Sequence, residues 1–297
     1  MVKRAQMNPP GDGRAAESAD AADAVVVRDL TARGVRVRFS EAGTGAPVFL
    51  LHGFLQTRAS FEGIRSLLAR SFRVIVPDFP GFGESEKPDP VRYAYGHHEF
   101  ASVVADLASA LSLGRVSVCG AGMGASVALM FGGEHKDLVH KLVLISPVVY
   151  EHTPNAMERV LSWPVVGSLV MKQVVNKRLF SMHLARTLYK GSRDEHEEIT
   201  SRYYDAFNTP ASRQAAHATL RGTLDSRPLV AALPRIVAPT LIVCGRNDTR
   251  VPLAHARKLS REIAGANLAV LDCGHAVAEE APSELAQAVT SFLGKKR

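Results

Sequence analysis

Residues 25–39 split into two short runs with different hydrophobic rhythms. Val25-Val26-Val27-Arg28-Asp29-Leu30 is largely apolar, whereas Val35-Arg36-Val37-Arg38-Phe39 alternates apolar with basic. With Thr31-Ala32-Arg33-Gly34 as the turn, the pair predicts an antiparallel hairpin at the solvent edge of a sheet. Beyond it the rhythm becomes a series of apolar runs: Pro47 to Leu51, Phe72 to Val76, Val116 to Cys119, Leu142 to Ile145, Thr240 to Cys244 and Leu268 to Leu271. Runs of this length and β-branched content predict strands buried on both faces. Helical periods fall between them, over about Phe61 to Arg70, Phe100 to Leu111, the residues after Gly124, Leu253 to Ala264 and Pro282 to Leu293. The alternation predicts an α/β fold, with a mostly parallel twisted sheet of about eight strands flanked by helices.

The pattern divides the chain. Residues 1–24 are rich in Ala, Gly, Asp and Pro and carry little apolar periodicity, so they are expected to be a flexible N-terminal segment. After Ser146-Pro147 no strand is visible until about Thr240. Residues 148–228 therefore read as a helical cap inserted after the sixth strand, and residues 25–147 and 229–297 as the core. Within the cap, Trp163 to Val175 is apolar and is followed by Lys177 and Arg178. A membrane-surface helix fits that pattern. The expectation is instead a lid helix that turns its apolar face, Trp163 included, toward substrate and core.

Composition changes this picture little. Apolar residues make up 46% of the chain, enough for a sizeable core. The formal net charge is +7. Part of the excess sits at Lys3, Arg4, Lys295, Lys296 and Arg297. No basic run interleaves with aromatics, which argues against nucleic acid as a partner. No apolar run is long enough to span a bilayer, so stable membrane insertion is not expected. Cys119, Cys244 and Cys273 each lie in or beside a strand and are odd in number. They read as core residues of a reducing compartment, and without an N-terminal apolar segment the expected location is cytoplasmic. His97-His98 lacks a third ligand at useful spacing and reads as an exposed helix start, so no metal or cofactor is expected. The oligomeric state is not legible.

The chemistry centres on Gly120-Ala121-Gly122-Met123-Gly124, where an apolar strand meets an apolar helix. This is the strand–turn–helix pattern of the G-x-S-x-G nucleophile elbow, with Gly122 where the nucleophile belongs. Together with Leu51-His52-Gly53-Phe54, Asp78 to Ser85, Gly245-Arg246-Asn247-Asp248 and Gly274-His275, the chain resembles the α/β-hydrolase superfamily from about Val35 to Leu293. The nearest branch is the capped one, with its esterases, epoxide hydrolases, dehalogenases and C–C hydrolases. The resemblance implies that His275 is the general base, that Asp248 orients it, and that the backbone N–H groups of Phe54 and Met123 form an oxyanion hole. It assigns His52 and Asp78 a supporting role in the loops around the site.

Three residues are candidates to substitute for the absent nucleophile. Cys119 lies within the strand and Ser126 one turn into the helix, and both are expected to be buried. Ser146, at a carboxyl strand end, is the best placed to reach a substrate pocket but reads first as a strand-terminating polar residue. Gly120-x-Gly122-x-x-Ala125 also fits a dinucleotide fingerprint, but the next strand ends Leu144-Ile145-Ser146-Pro147 without the acidic residue that fingerprint needs. Gly122 rules out a covalent intermediate through that position. Three readings stay open: a cofactor-independent lyase, cyclase, isomerase or water-activating hydrolase working on a lipophilic small molecule through His275 and Asp248; a non-catalytic ligand-binding protein; and a serine or aspartate hydrolase carrying an inactivating substitution at residue 122.

Overall fold

The structure, a computed structural model, describes residues 24–150, 156–187 and 193–295. The flexible segment expected over residues 1–24 lies, apart from Ala24, outside the described residues. The sheet has eight strands: β1 Val26–Ala32, β2 Val35–Ala42, β3 Ala46–Leu51, β4 Phe72–Pro77, β5 Val116–Ala121, β6 Val139–Ile145, β7 Thr240–Gly245 and β8 Asn267–Leu271. Their order is β1-β2-β4-β3-β5-β6-β7-β8. β2 runs antiparallel to both neighbours, and β3 to β8 are mutually parallel. The β1–β2 turn places Arg33 and Gly34 at φ of 53° and 73°, the two positive values a two-residue hairpin turn demands.

The central strands bury both faces, and their side chains sort by parity. Phe49 and Leu51 enter one core and Val48 and Leu50 the other, and the same split recurs at Leu142 and Leu144 against Val143 and Ile145. Helices His97–Ala110, Met123–Glu134 and Leu253–Glu262 close the first core. Glu62–Ala69 and Pro282–Gly294 close the second. Lys141 is buried between β6 and that last helix. Its ammonium donates to the carbonyls of Phe292, Leu293 and Lys295 at 3.0, 2.9 and 2.7 Å, a cation placed at the negative end of a helix.

Between β6 and β7 the described chain forms helices Ala156–Ser162, Pro164–Gln173, Lys177–Thr187, Arg193–Phe207, Pro210–Gly222 and Arg227–Ala232. Met171, Phe180, Leu184, Tyr203, Phe207 and Ala216 make a separate small cluster there. Arg227–Ala232 packs on the helix that follows β5.

The expected orientation of the Trp163–Val175 stretch is reversed. Pro164–Gln173 turns Gly167 and Met171 inward and leaves Val165 and Leu169 80% and 60% exposed. Gly167 explains the choice of face. A Cβ there would strike the carbonyl of Leu161 and stand 2.7 Å from His217 Nε2, so this face of the helix approaches its neighbours too closely for a side chain. Trp163, expected in the pocket, is 59% exposed.

Candidate active site

Open parallel sheets present ligand sites beyond the carboxyl ends of their strands. Here the ends of β3, β5, β7 and β8 deliver Gly53-Phe54, Gly122-Met123, Asp248 and His275 to one rim. A cavity of about 410 Å³ opens there, and Phe54, Gly122, Met123 and His275 all line it. Phe54 packs against both the first core and the small cluster of the helices between β6 and β7.

His275 Nδ1 lies 2.8 Å from Asp248 Oδ2, with the side chains 7% and 0% exposed. The other carboxylate oxygen, Oδ1, accepts the N–H groups of Arg250 and Val251, each at 2.8 Å. Burial pulls the Asp248 carboxyl upward. The hydrogen bond and charge of His275, joined by those two amides, outweigh it and hold the carboxyl below its ordinary range. A carboxylate so held accepts from Nδ1–H, which leaves Nε2 as the basic nitrogen facing the cavity. The loop carrying His275 is fixed from behind, where Gly274 N–H donates to Glu280 Oε2 at 2.7 Å.

Gly122 adopts φ 54° and ψ −116°. That backbone is costly for any residue with a side chain, and it is the geometry a nucleophile elbow imposes. A Cβ built on Gly122 would stand 3.5 Å from His275 Nε2. The turn is therefore aimed at the imidazole although residue 122 supplies no reactive atom. Met123 opens the following helix, where the first N–H groups have no intrahelical acceptor and the dipole favours an anion.

His52 and Asp78 are both fully buried and do not line the cavity. His52 Nδ1 donates to the carbonyl of Gly53 at 2.8 Å and Nε2 accepts from Phe79 N–H at 3.0 Å. Burial depresses its basicity, against the nearby charge of Asp78, so it serves as a neutral imidazole tying two loops together. Asp78 accepts the amides of Arg58 and Glu84 at 2.7 and 2.9 Å and pairs with the Arg58 guanidinium.

None of the three candidate substitute nucleophiles occupies the nucleophile's place. Cys119 is fully buried, and burial raises its thiol to about 12. Ser126 touches the cavity, but its hydroxyl donates to Val148 O at 2.6 Å. Ser146, the best placed of the three and a candidate for the pocket, is fully buried outside the cavity wall. Its φ of 44° bends the chain as it leaves β6.

Two cavity groups escaped the sequence reading. His97, read as an exposed helix start, is 7% exposed and lines the cavity, and burial lowers its imidazole to about 4. Its neighbour His98 does point outward, to Glu134. Glu279 also lines the cavity, four residues past His275. It accepts from Gln56 Nε2 at 3.3 Å and from the Tyr203 hydroxyl, while Gln56 Oε1 accepts Gly53 N–H at 2.9 Å. Desolvation is the main influence on this carboxyl and pushes it up to about 7. The Glu279 carboxyl and the His275 imidazole thus line one chamber.

Comparison with known proteins agrees with the fold. A family model described as alpha/beta hydrolase fold matches residues 46–282. The 2-hydroxy-6-oxo-6-(2'-aminophenyl)hexa-2,4-dienoic acid hydrolase of Metapseudomonas resinovorans is 30% identical, over 92% of each chain. The soluble epoxide hydrolase of Corynebacterium sp. (strain C12) is 27% identical, over 89% of this chain and 96% of that one. Among solved structures, a thermophilic esterase from Thermogutta terrifontis superposes with a TM-score of 0.78 at 25% identity, covering 91% of this chain and 98% of its own.

Proposed function

The chain belongs to the α/β-hydrolase fold family, and from that premise we propose that it is a cofactor-independent acid–base enzyme that acts on a lipophilic small molecule without a covalent intermediate. The observation that carries this reading is the pairing of a side-chain-free Gly122 with a basic His275 Nε2, 3.5 Å from where the missing Cβ would be. A family member with no further use for the site would have no need of a buried His275–Asp248 pair.

His275 Nε2 takes a proton from a substrate hydroxyl, from a carbon next to a carbonyl, or from an attacking water. Asp248 stabilises the imidazolium that results. The amides of Phe54 and Met123 receive the negative charge that develops on the substrate oxygen. The names of the relatives point to an oxo-dienoic acid and to epoxides as substrates of those proteins. For this chain they favour a carbonyl or epoxide carried on an apolar body, matched to the apolar wall of Phe180, Leu184, Leu220 and Leu224. Proton abstraction, ring closure, elimination, retro-aldol cleavage and direct hydration all fit this set of groups.

Once a substrate is found by screening such compounds, His275→Ala should lower turnover by about 10²–10⁴. Gly122→Ala should cost much less, because it removes no chemical group. Equal turnover by His275→Ala and the unmodified protein would sink the assignment and leave the cavity as a binding site only.

A further inference from the structure

The outward face of cap helix Pro164–Gln173 has no role in the cavity. Val165, Val166 and Leu169 lie on one side of it, 80%, 42% and 60% exposed, with Trp163 at its start and Val174 just past its end at 59% and 48%. The direction of this face is set by packing: Gly167 and Met171 point inward, toward helices Ala156–Ser162 and Pro210–Gly222. The next helix, Lys177–Thr187, adds Leu179 and Met182 at 37% and 40% exposed. Its other side carries Phe180 and Leu184 onto the cavity wall, so one helix separates the outer apolar surface from the chamber.

Charge indicates what covers this surface. From Arg159 to Met182 the sequence holds Arg159, Lys172, Lys177 and Arg178 and no Asp or Glu. Exposed aliphatic side chains, a tryptophan at one end and an unbroken set of cations are the features by which a helix lies in the headgroup layer of an anionic bilayer. No described helix is long and apolar enough to cross a membrane, so the contact is peripheral. A second copy of the chain would have to bring the same cations to the same face, which disfavours self-association there.

We propose that the cap docks on anionic lipid bilayers through Trp163, Val165, Val166 and Leu169, with Lys172, Lys177 and Arg178 contacting the headgroups. Docking in this way would place the cavity one helix away from a reservoir of apolar molecules.

The chain contains a single tryptophan, Trp163, so its fluorescence reports on this surface alone. The full chain is titrated with phosphatidylcholine vesicles and with vesicles containing about a third phosphatidylglycerol. The expected result is a blue shift of Trp163 emission, quenching by brominated acyl chains, and binding at least about tenfold tighter to the anionic vesicles, weakened by high salt. Val165→Asp with Leu169→Asp should abolish the shift while leaving thermal unfolding unchanged, since both side chains are exposed. Reversing Lys172, Lys177 and Arg178 to Glu should remove the anionic preference. Absence of a shift, equal binding to both vesicle types, or full binding by the double Asp variant would overturn the proposal. So would a dimer in sedimentation that the double Asp variant dissolves, with no vesicle binding by either protein.

Discussion

Tyr203, on helix Arg193–Phe207 between β6 and β7, donates its hydroxyl to Glu279, which follows His275 by four residues. The bond joins these two segments at the cavity wall. It continues through Gln56 to the N–H of Gly53, one residue before the proposed oxyanion donor Phe54. Helix Arg193–Phe207 and the loop after β3 are therefore linked through one carboxyl group.

That carboxyl should leave a signature in the pH dependence of stability. Its pKa is raised from 4.5 to about 7 in the folded protein, chiefly by desolvation, so between those values the folded state holds a proton that the unfolded state has lost. The contribution is complete below pH 4.5 and disappears as the pH rises through 7. Its upper bound is about 3 kcal/mol, reduced by whatever water the cavity admits. His97 works in the opposite sense: its folded pKa of about 4 contributes stability that is complete above pH 6.5 and lost as the pH falls toward 4. In Glu279→Gln the amide oxygen can still accept from Gln56 while the amide N–H donates to the Tyr203 hydroxyl, reversing that bond, so both contacts can persist while the titration is removed. Denaturant unfolding from pH 4.5 to 7.5 should show the stability of the variant rising relative to the unmodified protein as pH increases. A constant difference would mean that Glu279 is ionised throughout.

Gly122→Ser tests how fully the elbow retains its geometry. The hydroxyl would extend from a Cβ placed 3.5 Å from His275 Nε2, within reach of a hydrogen bond after rotation about χ1. The backbone at φ 54° and ψ −116° disfavours a side chain, so the variant should lose about 1–3 kcal/mol of stability. A fluorophosphonate probe should label the Ser variant stoichiometrically and leave the unmodified protein unlabelled. Labelling of the unmodified chain near the elbow would reveal a nucleophile elsewhere in the cavity.

Strand by strand, the sheet was legible because each buried strand is an apolar run with its own boundary signals, and Val48 to Leu51 or Leu142 to Ile145 needs no distant partner to be read. Gly122, Asp248 and His275 were legible for a related reason: each follows a carboxyl strand end, and parallel topology gathers such ends on one rim. The apolar stripe of Pro164–Gln173 gave a helix but not the direction of its face, which depends on how closely Gly167 approaches Leu161 and His217. Glu279 reads locally as an acid in the first turn of a short helix; its upward shift comes from burial by distant segments, and the hydrogen bond from Tyr203, 76 residues away in sequence, works against that shift. The burial of His97 likewise comes from distant segments, because the same cavity wall holds Ser226 and Leu229. Periodicity records which positions are apolar, and carries no information about which distant element will cover a polar one.

Asp248→Asn separates orientation from proton affinity at the site. Asp248 Oδ1 accepts two backbone N–H groups, so that contact persists if the amide oxygen takes its place. The amide nitrogen then occupies the Oδ2 position, 2.8 Å from His275 Nδ1 in the present structure. It can donate but not accept, so Nδ1 becomes the acceptor and the ring proton moves to Nε2. A protonated Nε2 cannot serve as the base facing Gly122. Turnover should fall by about 10³–10⁴, the scale of an imidazole held in the wrong tautomer. The backbone contacts are preserved, so binding of a substrate analogue should change little. A small effect on turnover would mean that the reacting proton never passes through His275, whereas a matching loss of analogue binding would assign Asp248 to the shape of the cavity and not to its chemistry. Nitrogen-15 shifts of the imidazole provide an independent check, since they report the tautomer directly and should exchange between the two ring nitrogens in the variant.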